Sequence, residues 1–112
     1  MKLRFIIAFT FAILAACSHK QMLHEPPRPT SVESAVDVRI HNVIAAGDVT
    51  LSIDDVEIYR FLEPSHYDFV LDSGRYMFAY ESGGNTCHAE VMLHTGNAYV
   101  FNLTPDCVIE MQ

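Results

Sequence analysis

Over residues 36–41 and again over 49–54, apolar and polar residues alternate, and the apolar-rich stretches that follow are separated by turn-forming residues. Val36, Val38 and Ile40 alternate with Asp37, Arg39 and His41; after Gly47-Asp48, Val49, Leu51 and Ile53 alternate with Thr50, Ser52 and Asp54. Successive side chains of an extended chain point to opposite faces, so this period builds strands with one buried face and does not build helices. Further strands are predicted over 56–61, 66–71, 75–81, 87–93, 97–103 and 107–111. Between them stand Asp54-Asp55, Glu63-Pro64-Ser65, Asp72-Ser73-Gly74, Ser82-Gly83-Gly84-Asn85, His94-Thr95-Gly96 and Thr104-Pro105-Asp106. The Asp72-Ser73-Gly74 and His94-Thr95-Gly96 stretches read as tight hairpins, with glycine free to take positive φ. Short strands at even spacing predict an all-β fold: a small antiparallel β-sandwich of about seven to eight strands over residues 35–112, with an open barrel as the alternative.

The cysteines bear on how the strands are arranged. Three are present, an odd number. If the last three strands formed one flat meander, Cys87 and Cys107 would flank Leu103 two strand spacings apart, about 9.6 Å. That exceeds the roughly 7 Å limit for a disulfide. Either the bond is absent, or the last strand or its turn leaves that sheet; in an oxidising compartment the second reading is preferred. Closing this loop would stabilise the fold by roughly 3 kcal/mol in the chain-entropy model.

The start of the chain has a different character. Lys2 and Arg4 precede an apolar run over 5–14, broken only by Thr10, and Ala15-Ala16-Cys17 closes it. A basic start, a short apolar run and small residues define a secretory signal over 1–16. The run is shorter than the ~20 apolar residues a spanning helix needs. Leu14-Ala15-Ala16-Cys17 resembles the lipobox of bacterial lipoproteins. The resemblance implies cleavage before Cys17 and lipidation of its thiol, and Ser18 after it implies the outer membrane. Several acyl chains anchor a protein stably where one does so only marginally. Residues 17–34 carry Pro26, Pro27 and Pro29 without periodicity and read as an extended tether, up to roughly 50 Å long. The prolines argue against an edge strand packed on the domain, because they lack amide donors.

Charge excludes one class of partner. The chain has 7 Lys and Arg against 14 Asp and Glu. Loss of Lys2 and Arg4 with the signal leaves 5 of those 7 basic residues against all 14 acidic ones, a net of −9. Nucleic acid is bound by clustered basic residues, so it is not an expected partner. The expected partners are the membrane, through lipid on Cys17, and another protein of the envelope.

Part of the domain resembles small bacterial surface domains of the PEGA type. The matching pieces are Leu51-Ser52-Ile53-Asp54-Asp55, Tyr67-Asp68-Phe69-Val70-Leu71, Asp72-Ser73-Gly74-Arg75-Tyr76 and Gly96-Asn97-Ala98-Tyr99-Val100-Phe101. Asp55 stands where that pattern usually has glycine. The resemblance implies envelope interaction or scaffolding and supplies no catalytic residues. Ser73-Gly74-Arg75-Tyr76 is also similar to the Ser-Gly-x-x-Tyr loop of lipoprotein inhibitors of cationic lysozymes, one residue short, with their Lys-Gly signature missing. That similarity makes Asp72, Ser73, Gly74, Arg75 and Tyr76 a candidate binding loop.

Other chemistry is sparse. His88 and Glu90 share a strand face, as do His66 and Asp68, and together these four would supply a metal site if their strands met. The competing reading is a solvated polar face. Tyr76, Phe78 and Tyr80 share one face of a strand and are expected in the core, with an exposed aromatic platform as the alternative. The sequence contains no Gly-x-Ser-x-Gly elbow, and Asp54 and Asp55, adjacent on a strand, would point to opposite faces. The expected function is therefore non-catalytic, with no cofactor: a binding or scaffolding lipoprotein, with hydrolase inhibition and metal binding as alternatives.

Overall fold

A computed structural model describes residues 21–107 and 109–111, with side chains through Cys107. The signal segment and Cys17 lie outside the described residues. The strands are β1 (Ala35–Asn42), β2 (Val49–Ile53), β3 (Val56–Phe61), β4 (Ser65–Asp72), β5 (Gly74–Ser82), β6 (Asn85–Leu93), β7 (Ala98–Leu103) and β8 (Ile109–Met111). They form two four-stranded sheets, ordered β4-β1-β7-β8 and β3-β2-β5-β6. The fold is all-β, a small β-sandwich.

Alternation decides which residues meet between the sheets. Val36, Val38 and Ile40 of β1, Val49, Leu51 and Ile53 of β2, and Phe78 and Tyr80 of β5 are buried with Leu71, Phe101 and Leu103. Phe78 meets Phe101 across the sheets edge-on, with ring centroids 5.5 Å apart. Tyr76 is partly buried against the same core, so the stripe Tyr76, Phe78 and Tyr80 is packing. At the β3/β4 side, Tyr59 stacks on Tyr67 at 4.0 Å between centroids.

Two connections and one strand pairing depart from the sequence reading. Strand β4 pairs with β1, whereas β5 pairs with β2 and β6, so Ser73 and Gly74 (φ 145°) carry the chain from one sheet to the other. The expected 72–74 hairpin is a corner. The 94–97 connection also changes sheets, because β6 pairs with β5 and β7 with β1 and β8. Glycine marks where a chain turns; whether the next strand pairs or stacks depends on which apolar faces must meet. The sheet change that the cysteine spacing demanded therefore lies before β7, not at the last strand. One pair is also parallel: β1 runs alongside β7, with Val38 opposite Tyr99 and Ile40 opposite Phe101.

Cys87 of β6 and Cys107, in the β7–β8 turn, form a disulfide with Cα atoms 5.1 Å apart. The bond ties β6 of one sheet to the turn between the last two strands of the other. Asn42 fixes the loops nearby: its Nδ2 donates to the carbonyls of Ile44 (3.3 Å) and Glu63 (3.4 Å), and its Oδ1 accepts from Ile44 N (3.0 Å). A fully buried amide with all these partners ties the β1–β2 loop to the β3–β4 connection.

The chain before β1 is attached along its described length, where the sequence reading expected an extended tether. Arg60 N donates to Gln21 O at 2.7 Å, and Leu23 N donates to Ile58 O at 2.8 Å, with Met22 bridged to Tyr59. The prolines lack donors, and the pairing uses residues before them. Pro26, Pro27 and Pro29 then border a cleft with Tyr67, Phe69 and Val70. This strap crosses from the edge of β3 to the edge of β4, closing the side of the sandwich opposite the disulfide.

Candidate functional site

The four candidate metal ligands are not brought together. His66 and Asp68 lie on β4, at one edge of one sheet; His88 and Glu90 lie on β6, at one edge of the other. The β4 edge sits beside β3, through the Tyr59–Tyr67 stack, whereas β6 sits on the disulfide side. Among the described residues, no group of three or more His, Cys, Asp or Glu side chains is placed to hold a metal ion. The reading that joined His66, Asp68, His88 and Glu90 is corrected because β4 and β6 are not neighbours.

Each pair has another partner instead. Arg39 of β1 stands opposite Asp68 in the register. It donates from Nε to Oδ1 at 2.7 Å and from a terminal nitrogen to Oδ2 at 2.9 Å. This two-pronged contact holds the Asp68 carboxyl below its ordinary value and raises the guanidinium. His66 Nε2 lies 3.9 Å from Asp68 Oδ2. On the other sheet, Glu90 lies 3.9 Å from Arg75. The sequence reading missed the Arg39–Asp68 pair, since cross-strand register cannot be read from either strand alone.

The 72–76 loop is engaged from within the chain. The Asp72 carboxylate accepts from Ser34 Oγ at 2.6 Å and from Thr30 N at 2.9 Å. These bonds hold its pKa below the ordinary value, Ser34 contributing most. Ser73 N donates to Ser34 O at 2.8 Å, and Tyr76 OH donates to Asp72 O at 2.8 Å. Burial, with Asp72 and Asp54 nearby, pushes the Tyr76 phenol up. Asp72 and Tyr76 are held by the chain itself, whereas the Arg75 side chain, 3.9 Å from Glu90, is largely exposed.

The adjoining β2–β3 turn answers the question that Asp55 raised. Asp54 and Asp55 have φ of 50° and 68°, so both occupy the left-handed region of a two-residue hairpin turn. Asp54 also exchanges two bonds with Met77, donating from N to its carbonyl (2.8 Å) and accepting at Oδ1 from its amide (2.9 Å). Its side chain thereby extends the β2–β5 ladder.

Among the described residues, the outer face of each sheet carries exposed apolar side chains. On the outside of the first sheet, a shallow groove of about 450 Å³ runs over β1, β4 and β7, floored by Val70, Ala98 and Val100 beside the Arg39–Asp68 pair. On the outside of the second sheet, Met77 and Met92 are 38% and 44% exposed. Glu90 stands opposite Met77 and Arg75 opposite Met92, which puts the two methionines on a diagonal of neighbouring strands. Comparison with known protein families and with curated protein sequences finds no match.

Proposed function

We propose that this chain is a bacterial cell-envelope lipoprotein, anchored by lipid on Cys17 to the outer membrane and facing the periplasm. Its β-sandwich binds or scaffolds another envelope component and catalyses no reaction. The observation that supports this reading best is the Cys87–Cys107 bond. It accounts for two of the three cysteines and leaves the third inside Leu14-Ala15-Ala16-Cys17. Disulfides of this kind persist in exported proteins and are rare where thiols are kept reduced. The exposed Met77 and Met92 add an adaptable apolar patch of a type suited to a protein partner.

The test is crosslinking of the intact lipoprotein in cells, followed by affinity capture and mass spectrometry, with an M77E/M92E variant alongside. The proposal expects one dominant envelope protein, lost or reduced in the variant. Capture of lysozyme-type enzymes alone would replace the scaffold with an inhibitor. Recovery of nothing beyond abundant outer-membrane proteins would contradict a stable partner.

A further inference from the structure

We infer that the sandwich rests on the lipid surface itself, with the end that carries the β1–β2 and β3–β4 loops turned toward the bilayer. The inference rests on the lipoprotein reading and adds an orientation and a contact surface to it. A tether running free from Cys17 to Ser34 would let the domain stand roughly 50 Å away in any orientation. The strap removes that freedom, because it is hydrogen-bonded to β3 from Gln21 onward. Only four chain steps separate Cys17 from Gln21, and fully extended they span about 14 Å.

The strap also selects the end. Gln21 is bonded to Arg60, next to the last residue of β3, and later residues run down the strand toward Glu57. In the registers, Val49 lies level with Phe61 and Ser82, and Asn42 level with Ser65 and Leu103. The loops around 43–48, 62–64, 83–84 and 104–107 therefore gather at the end where the strap begins. The opposite end, with Asp54, Ser73 and Thr95, is a strand length farther off, about 26 Å.

The chemistry of the near end suits a bilayer. Val43, Ala45, Ala46 and Leu62 are exposed there, and Asn42 holds the backbone behind the first three in place. Small apolar groups on a fixed loop enter the interfacial layer shallowly, and the nearby acyl chains keep them at high effective concentration. Asp48, Glu63 and Asp106 are exposed at the same end. These acids oppose anionic headgroups and make a zwitterionic surface the better match.

The experiment uses the full mature lipoprotein, reconstituted in phosphatidylcholine vesicles containing a headgroup spin-labelled lipid. Variants A45C and T95C carry a fluorophore, and intact mass first establishes lipid on Cys17. The label at 45 is expected to be quenched several-fold more than the label at 95. A ten-residue Gly/Ser insertion after Lys20 is expected to abolish that difference. Equal or reversed quenching overturns the inference while leaving the lipoprotein reading intact, and persistence of the difference after insertion overturns the role of the short link in setting the orientation. A mature chain without lipid on Cys17 overturns both.

Discussion

Ser34 donates its hydroxyl to the Asp72 carboxylate at 2.6 Å, and this contact joins a segment that reads as tether to a loop that reads as binding surface. With Thr30 N on the same carboxylate and Ser73 N on Ser34 O, it fastens the far end of the strap beside the start of β1. The strap is thus bonded at both ends, to Arg60 and to Asp72.

This attachment depends on pH in a definite direction. The Asp72 carboxyl lies below its ordinary value of 3.8, so the charged form is favoured when folded. Its contribution is complete above the ordinary value and is lost as pH falls through the lowered one. Amide protection at Thr30 and Ser73, measured relative to the intrinsic exchange rate at each pH, should be high at neutral pH and fall below the ordinary carboxylate range. An Asp72→Asn variant should exchange faster at neutral pH and lose most of that acid dependence.

Removal of the disulfide by a Cys87→Ser/Cys107→Ser pair should cost roughly 3 kcal/mol, since it frees a loop that links the two sheets. Urea denaturation of the domain with and without a reductant checks this.

Asn42→Leu should cost about 2–3 kcal/mol, because it strips partners from Ile44 N and from the carbonyls of Ile44 and Glu63 at a fully buried position. Thermal unfolding measures the loss, and an intact β-sheet circular dichroism spectrum separates it from misfolding.

Asp55→Gly should have the opposite effect. Asp55 sits at φ 68°, where an L side chain is strained. Glycine removes the strain but adds unfolded-state freedom, leaving a gain of about 0.5 kcal/mol. Asp54→Gly should instead destabilise, because the carboxylate that accepts from Met77 N is lost.

Strand positions were legible in the sequence because period-two patterning is local: the residues read as inward from β1, β2 and β5 are the buried ones. Pairing was less legible. Gly74 and Gly96 both have positive φ and both mark real turns, yet each leads to a strand in the other sheet. The parallel β1–β7 pair joins residues some sixty positions apart, such as Val38 and Tyr99, and no local signal announces it. Cysteine spacing did carry long-range information, since a bonded pair excludes one flat meander, although the change lies before β7 and not at the last strand. At the surface, reading single strands grouped His66 and Asp68 with His88 and Glu90, and only the register shows that Arg39 claims Asp68. The strap was hidden because Pro26, Pro27 and Pro29 argue against strand pairing, while its bonds to β3 come from Gln21, Leu23 and His24.

The most direct test of the central claim is the intact mass of the mature protein purified from bacterial membranes. The expected chain begins at Cys17, and its mass exceeds that of residues 17–112 by a diacylglyceryl group and an amide-linked acyl chain, with Cys87 and Cys107 oxidised. A chain that retains residues 1–16, or one that begins elsewhere and carries no lipid, would contradict it.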